Sequence, residues 1–270
     1  MPLKARIEEA LRWSPPLYRL GSRIYHLMNP GFRSLSPGAI DAIRDALELS
    51  QSDRDARSFE GDYYEFGLFR GGTFLAAGQI AEELGMDDMR LYGFDSFQGL
   101  PPPEGVDATD PRFFEGQFAC SREEVEKNLE TRGMDMSRAV LVEGFFEDSL
   151  TDELREEHPF RPASVVLLDC DYYQSTAVAM AWLDRYIRPG TILMFDDWFS
   201  YGDDRSMGQQ RALEEWLQRH PRLRLEHMAD FAENGRSFIV REATKPGSLQ
   251  MAWYLPITDI LWDVPVISLI

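Results

Sequence analysis

Four aspartates stand in two close pairs, each ending an apolar run. Asp169 and Asp171 follow SVVLL, and Asp196 and Asp197 follow TILMF. If those runs are neighbouring strands, about 4.8 Å apart, the pairs converge at one end of a sheet. Four carboxylates cannot all stay ionised in so small a space without compensation. A hard divalent cation is the economical answer, because Mg²⁺ takes carboxylate oxygens and keeps positions open for substrate oxygens. Such a cation acidifies and orients an acceptor hydroxyl, and a remaining aspartate takes the proton. The alternative is that these acids are exposed caps of the helices that follow. Zn²⁺ is disfavoured, since no His or Cys sits at ligand spacing around them. Cys170, next after Asp169, alternates away from that carboxylate and reads as a small buried filler.

A second constellation lies upstream. The run DYYEFGL (62–68) leads through Phe69 and Arg70 into Gly71, Gly72 and Thr73. Glycines there let backbone approach a ligand and turn into a helix. The spacing G-x-x-x-G-G lacks the tight G-x-G turn of dinucleotide binders, which disfavours a nicotinamide oxidoreductase. It suits a ligand whose amino-acid and nucleoside parts pass the strand end. Asp95 ends the next apolar run, RLYGFD, where an acid can accept both ribose hydroxyls of a nucleoside. No Ser-His-Asp arrangement and no G-x-S-x-G elbow stands out. Among the scattered histidines, His227 is kept as a reserve base.

These residues need elements to hold them. Strands are expected at 62–68, 90–95, 139–143, 164–169, 191–197, 223–229 and 236–241. Helices are expected at 73–84, 123–131, 148–157, 173–187 and 206–219. Strands alternating with 10–15-residue helices imply a doubly wound, mostly parallel α/β sheet, buried on both faces. The last two strands, with no helix between them, predict one antiparallel strand. Upstream, Ser36-Pro37 supplies a helix start, and residues 17–28 read as a cap helix. The domain reading is a helical cap at 1–60, a catalytic domain at 61–245 and a tail at 246–270 that packs on the core or on a second copy in a homodimer.

The chain carries 28 Lys plus Arg against 46 Asp plus Glu, a formal charge of −18 over 270 residues. The first 60 residues are nearly balanced, so the acidity belongs to the remainder. That excess excludes a phosphate-backbone binder, and no nucleic-acid partner is expected. No apolar run reaches membrane-spanning length, and no signal peptide opens the chain. Two cysteines, Cys120 and Cys170, are too few for a disulfide scaffold, and a reduced cytoplasmic setting follows as the default.

Together YEFGLFRGGTF, LYGFDSFQGLPPP, VEGFFEDSL, LLDCDYYQST and MFDDW resemble the macrocin O-methyltransferases, S-adenosylmethionine-dependent sugar O-methyltransferases of natural-product pathways. The resemblance covers residues 60–240. It implies a class I methyltransferase fold, Rossmann-like, with a seven-stranded sheet and an antiparallel last strand. It implies that Glu65, Gly67, Gly72 and Thr73 line the methionine side of the cofactor. Asp95 and Ser96 would hold its ribose, and Gly144 and Phe145 would lie by adenine. Asp169, Asp196 and Asp197 would bind Mg²⁺, with Asp171 as general base on a small-molecule hydroxyl, that of a sugar. Cys170 and Gln174 depart from the family pattern, and residues 101–118 look like an acceptor loop, with Phe113, Phe114 and Phe118 either stacking on an acceptor or forming a small core.

Overall fold

The computed structural model describes residues 37–202 and 204–243. The expected helix at 17–28, the cap residue Ser36 and the tail 246–270 lie outside them.

The apolar runs form seven strands: β1 (Asp62–Phe66), β2 (Leu91–Asp95), β3 (Ala139–Glu143), β4 (Ala163–Leu168), β5 (Ile192–Phe195), β6 (Leu223–Phe231) and β7 (Gly235–Glu242). They make one sheet in the order β3-β2-β1-β4-β5-β7-β6. Pairs among β1 to β5 are parallel, and β7 runs antiparallel to both β5 and β6. The seven strands and the reversed last strand are those that the resemblance implies. β1, β4 and β5 are buried along their whole length, as central strands covered on both faces must be.

Two helical layers provide that cover. Helices α1 (Pro37–Ser52), α2 (Gly72–Glu83) and α3 (Arg122–Thr131) pack Ile43, Leu47, Phe74 and Leu129 against Tyr63, Val165 and Met194 on one face. The short α4 (Phe146–Ser149) and α5 (Asp152–Glu157), with α6 (Tyr173–Leu183) and α7 (Gly208–Arg219), pack Trp182, Leu213 and Trp216 against Phe66, Val166 and Phe195 on the other. Period-two alternation of side chains along the strands divides the two cores. Helix α1 is also tied to the sheet's far end, where Arg241 of β7 donates to Asp53 at 2.7 Å.

The single helix expected at 148–157 is instead two. Thr151 is extended, and its hydroxyl accepts the Leu154 N–H, so it starts a second helix. Ser149 meanwhile turns its hydroxyl back to the Phe145 carbonyl, closing the first. A side chain that competes for local backbone groups breaks a run that apolar spacing alone makes continuous.

Chain reversal in strand order falls between β1 and β4, which places a crevice at their carboxyl ends. At the opposite end, Asp62 is fully buried. Its Oδ1 accepts from the Arg90 N–H at 2.9 Å and from Arg161 Nε at 3.0 Å, while Oδ2 has no partner. Removing Arg161 strands that carboxylate. Arg161→Ala should lower stability by about 3 kcal/mol, the lower end for breaking a buried pair, because the Arg161 side chain is 29% exposed. Urea unfolding with an unchanged m-value measures it; a loss under about 1 kcal/mol, as for a surface pair, contradicts this account.

Candidate active site

The crevice is a cavity of about 320 Å³, lined by Gly67, Phe69, Asp95, Ser96, Gly144 and Phe145 on one side and by Asp169, Asp171, Asp196 and Asp197 on the other. Its size lies at the lower end of small-molecule sites, about 300–1,000 Å³. Glycine is obligatory at its floor. Gly67 has φ +91°, and a Cβ there would fall 1.8 Å from the Asp169 carbonyl oxygen. The turn after β1 is therefore pressed against the end of β4, so cavity wall and acid cluster are built together.

Asp95 organises this turn. Its Oδ2 accepts the Leu68 N–H at 2.7 Å and the Phe69 N–H at 3.1 Å, and its Oδ1 accepts the Phe97 N–H at 2.6 Å. Oδ1 keeps acceptor capacity for one more donor. Burial pushes the Asp95 carboxyl up, and these three amides oppose it. Ser96 lines the cavity, but its hydroxyl is spent on the Gly99 carbonyl at 2.7 Å. Gly144 donates its N–H to the Asp95 carbonyl at 3.0 Å, which sets β3's exit beside β2's.

Glu65, Gly72 and Thr73 do not line the cavity. Glu65 is fully buried, accepting from the Tyr63 hydroxyl at 2.6 Å and the Thr73 hydroxyl at 2.6 Å. These residues brace the turn from beneath. Burial raises the Glu65 carboxyl to about 8 against the pull of those two hydroxyls.

Leu168 pairs with Phe195 across β4 and β5, so the next residues, Asp169 and Asp196, emerge side by side. One carboxylate oxygen from each of Asp169, Asp196 and Asp197 lies within 4.8 Å of the others. Asp171 adopts φ +56°, donates its N–H to Asp197 Oδ2 at 3.0 Å, and joins the cavity wall. Burial, then mutual repulsion, pushes Asp169 and Asp171 well above the usual carboxylate range. Burial raises Asp196 as well, and burial with Asp196 beside it raises Asp197 to about 7. An all-oxygen donor set of this span fits a hard dication. Cys170 is buried, as a filler should be, but it lines the cavity and sits 3.5 Å from the Thr176 hydroxyl.

Three residues outside the sequence reading position this cluster. Gln209 of α7 accepts the Asp197 N–H at 3.0 Å and donates to the Leu168 carbonyl at 3.0 Å, tying the ends of β4 and β5. Asp107, 1% exposed, accepts the N–H groups of Tyr173 at 2.9 Å and Gln174 at 3.0 Å, capping α6 from a remote loop. Arg112 pairs with Asp110, donates to the Ser200 carbonyl at 2.8 Å and lies over the rings of Phe113 and Tyr201. Loop 101–118 is thus strapped across the acid end. Its three aromatics part company: Phe114 is buried, Phe113 packs edge-on against Tyr172, and Phe118 lines the cavity. His227 of β6 pairs with Asp230 at 3.0 Å and does not line the cavity, so the reserve base is set aside.

The profile described as Macrocin-O-methyltransferase (TylF) matches residues 40–218, well over half of the chain. The chain belongs to the macrocin-O-methyltransferase family. Among curated members it is 30% identical over 144 residues to the 8-demethyl-8-(2,3-dimethoxy-alpha-L-rhamnosyl)-tetracenomycin-C 4'-O-methyltransferase of Streptomyces olivaceus, covering 51% of this chain and 53% of that one. It is 25% identical over 145 residues to the mycinamicin III 3''-O-methyltransferase of Micromonospora griseorubida, covering 51% and 55%. The chain thus spans about half the length of the curated relatives it matches. The solved O-methyltransferase NovP superposes with a TM-score of 0.62 at 22% identity, covering 76% of this chain and 79% of that one. The calicheamicin methyltransferase CalS11 gives 0.59 at 21%, covering 84% and 93%. These structures show the class I methyltransferase fold. No helix among the described residues is long and apolar enough to cross a membrane.

The raised acids predict a pH dependence. Glu65 at about 8 and Asp197 at about 7 lie above ordinary unfolded carboxylates, near 4. The folded chain therefore binds more protons than the unfolded chain between about pH 4 and 8, and loses stability as pH rises through that window. In EDTA, the melting temperature should be higher at about pH 6 than at about pH 8.5. A melting temperature that is flat or rising over that range contradicts the crowding described.

Proposed function

We propose that this chain transfers a methyl group from S-adenosylmethionine to a hydroxyl of a small-molecule acceptor, a sugar of a natural product, with Mg²⁺ held by Asp169, Asp196 and Asp197. One observation carries the reading: the three-aspartate cluster and the Gly67–Asp95 turn line the same cavity. The family match supports it, as does the rhamnosyl group in the name of one relative's substrate.

The cavity's two sides take two ligands. On the β1–β3 side, Gly67 gives backbone access, Asp95 Oδ1 receives a ribose hydroxyl, and Gly144 and Phe145 flank the base. Glu65, Gly72 and Thr73 serve by holding the turn, and Ser96 by shaping the wall. On the β4–β5 side, a bound dication supplies Lewis acidity toward an acceptor hydroxyl. Asp171 is the group that receives the hydroxyl proton. It has a left-handed backbone and lies on the cavity wall beside the three ligands; in its ionised form its carboxylate would take that proton. Arg112 and Phe113 hold loop 101–118 against Ser200, Tyr201 and Tyr172 beside the acid end. Holding the two reactants in one small cavity supplies much of the rate enhancement.

Calorimetry with S-adenosylhomocysteine should give one site per chain. Mass spectrometry should show methyl transfer to members of a panel of deoxysugar glycosides. EDTA should abolish transfer and leave S-adenosylhomocysteine binding in place. Lack of binding overturns the cofactor assignment; full turnover in EDTA or in Asp196→Asn overturns the metal assignment.

A further inference from the structure

Phe118 is the one exposed large apolar side chain among the described residues, 37% exposed. It also lines the cavity. Its backbone is left-handed, with φ +61°, and so is that of Phe69, with φ +48°. Both conformations are costly for a residue with a Cβ and persist only where the surroundings impose them. The two rings meet nearly edge to face, centroids 5.9 Å apart, and the Arg70 guanidinium lies 5.6 Å from the Phe69 ring centroid.

The imposing structure is the neck of loop 101–118. Leu100 donates its N–H to the Gln117 carbonyl at 2.9 Å, and Gly116 donates to the Leu100 carbonyl at 2.9 Å. A Cβ on Gly99 would fall 2.4 Å from that same Gln117 carbonyl, so the neck is closed to any side chain. With residue 117 fixed, the turn at 118 puts its ring on the cavity instead of in the loop's own core, where Phe114 sits.

The ring's side of the cavity is also fixed. Phe69 N–H is held by Asp95 Oδ2, the carboxylate placed to meet a ribose. Phe113, by contrast, packs with Tyr172 and Tyr201 toward the acid end. We infer that Phe118 is a cofactor-binding residue: with Phe69 it covers the nucleoside half of S-adenosylmethionine and takes no part in holding the acceptor. This rests on the cofactor reading above. A ring that is 37% exposed in the free chain, with Phe69 on one side, gains further contact when the cavity fills.

The test is calorimetry with S-adenosylhomocysteine alongside acceptor kinetics. Phe118→Ala should weaken binding about tenfold, the effect of one aromatic contact, with the acceptor KM unchanged. Phe118→Tyr should bind as wild type. Phe118→Gly, which removes ring and backbone strain together, should bind no better than Phe118→Ala. Melting temperatures should stay within a few degrees, because the ring is exposed. Wild-type affinity in Phe118→Ala or in Phe118→Gly overturns the inference, as does a rise in acceptor KM alone. Failure of the wild type itself to bind removes the cofactor reading and this inference with it, so the two failures are told apart.

Discussion

Carboxyl groups from two adjacent strand ends share one small cavity, and the structure around them works to keep them there. Their oxygens lie within 4.8 Å; at an effective dielectric constant of about 20, two charges that close repel by about 3–4 kcal/mol. Left alone, such groups take up protons or move apart. They cannot move apart. The Asp196 N–H is bonded to the Leu168 carbonyl, the Asp197 N–H to Gln209, and the Asp171 N–H to Asp197 Oδ2. What remains is neutralisation, by protons in the free chain or by a dication, and the raised carboxyl groups are the mark of that choice.

The same constraint shapes the other half of the cavity. Because a Cβ at Gly67 would strike the Asp169 carbonyl, the turn after β1 cannot shift without the acid cluster shifting too. Asp95 binds that turn through two amides and the next loop through a third. Loop 101–118 then joins the halves. Its neck sits at Leu100 and Gln117, and its body caps α6 through Asp107, close to Asp171. A methyl donor and its acceptor need a common frame of this kind.

The strands, the antiparallel one among the last two and the positions just beyond each strand were legible in the sequence, because apolar runs bounded by glycines and acids reflect burial on both faces; the order of the strands across the sheet was not, since nothing local encodes which strands are neighbours. Asp169, Asp196 and Asp197 could be placed because parallel neighbours end together. Residues whose work depends on chain-distant partners left no such trace. Asp107 meets α6 across more than sixty residues, and Arg112 meets Ser200 across 88. Gln209 carried a weak signal, a buried glutamine at the head of an amphipathic helix. Glu65 could have been read further: by alternation it shares a face with Tyr63 and lies beneath the turn. Thr151 split a helix whose apolar spacing was continuous, since a local cap outweighs pattern over one turn.

The central claim is that these aspartates form one cation site by virtue of their crowding. Titration with Mn²⁺, followed by electron paramagnetic resonance on the full chain, tests it most directly. The account predicts one tight site per chain, weakening as pH falls below about 7 because protons compete for the same oxygens, and lost in Asp196→Asn with the fold intact. Weak binding of several ions, or a single site that Asp196→Asn leaves untouched, would contradict it.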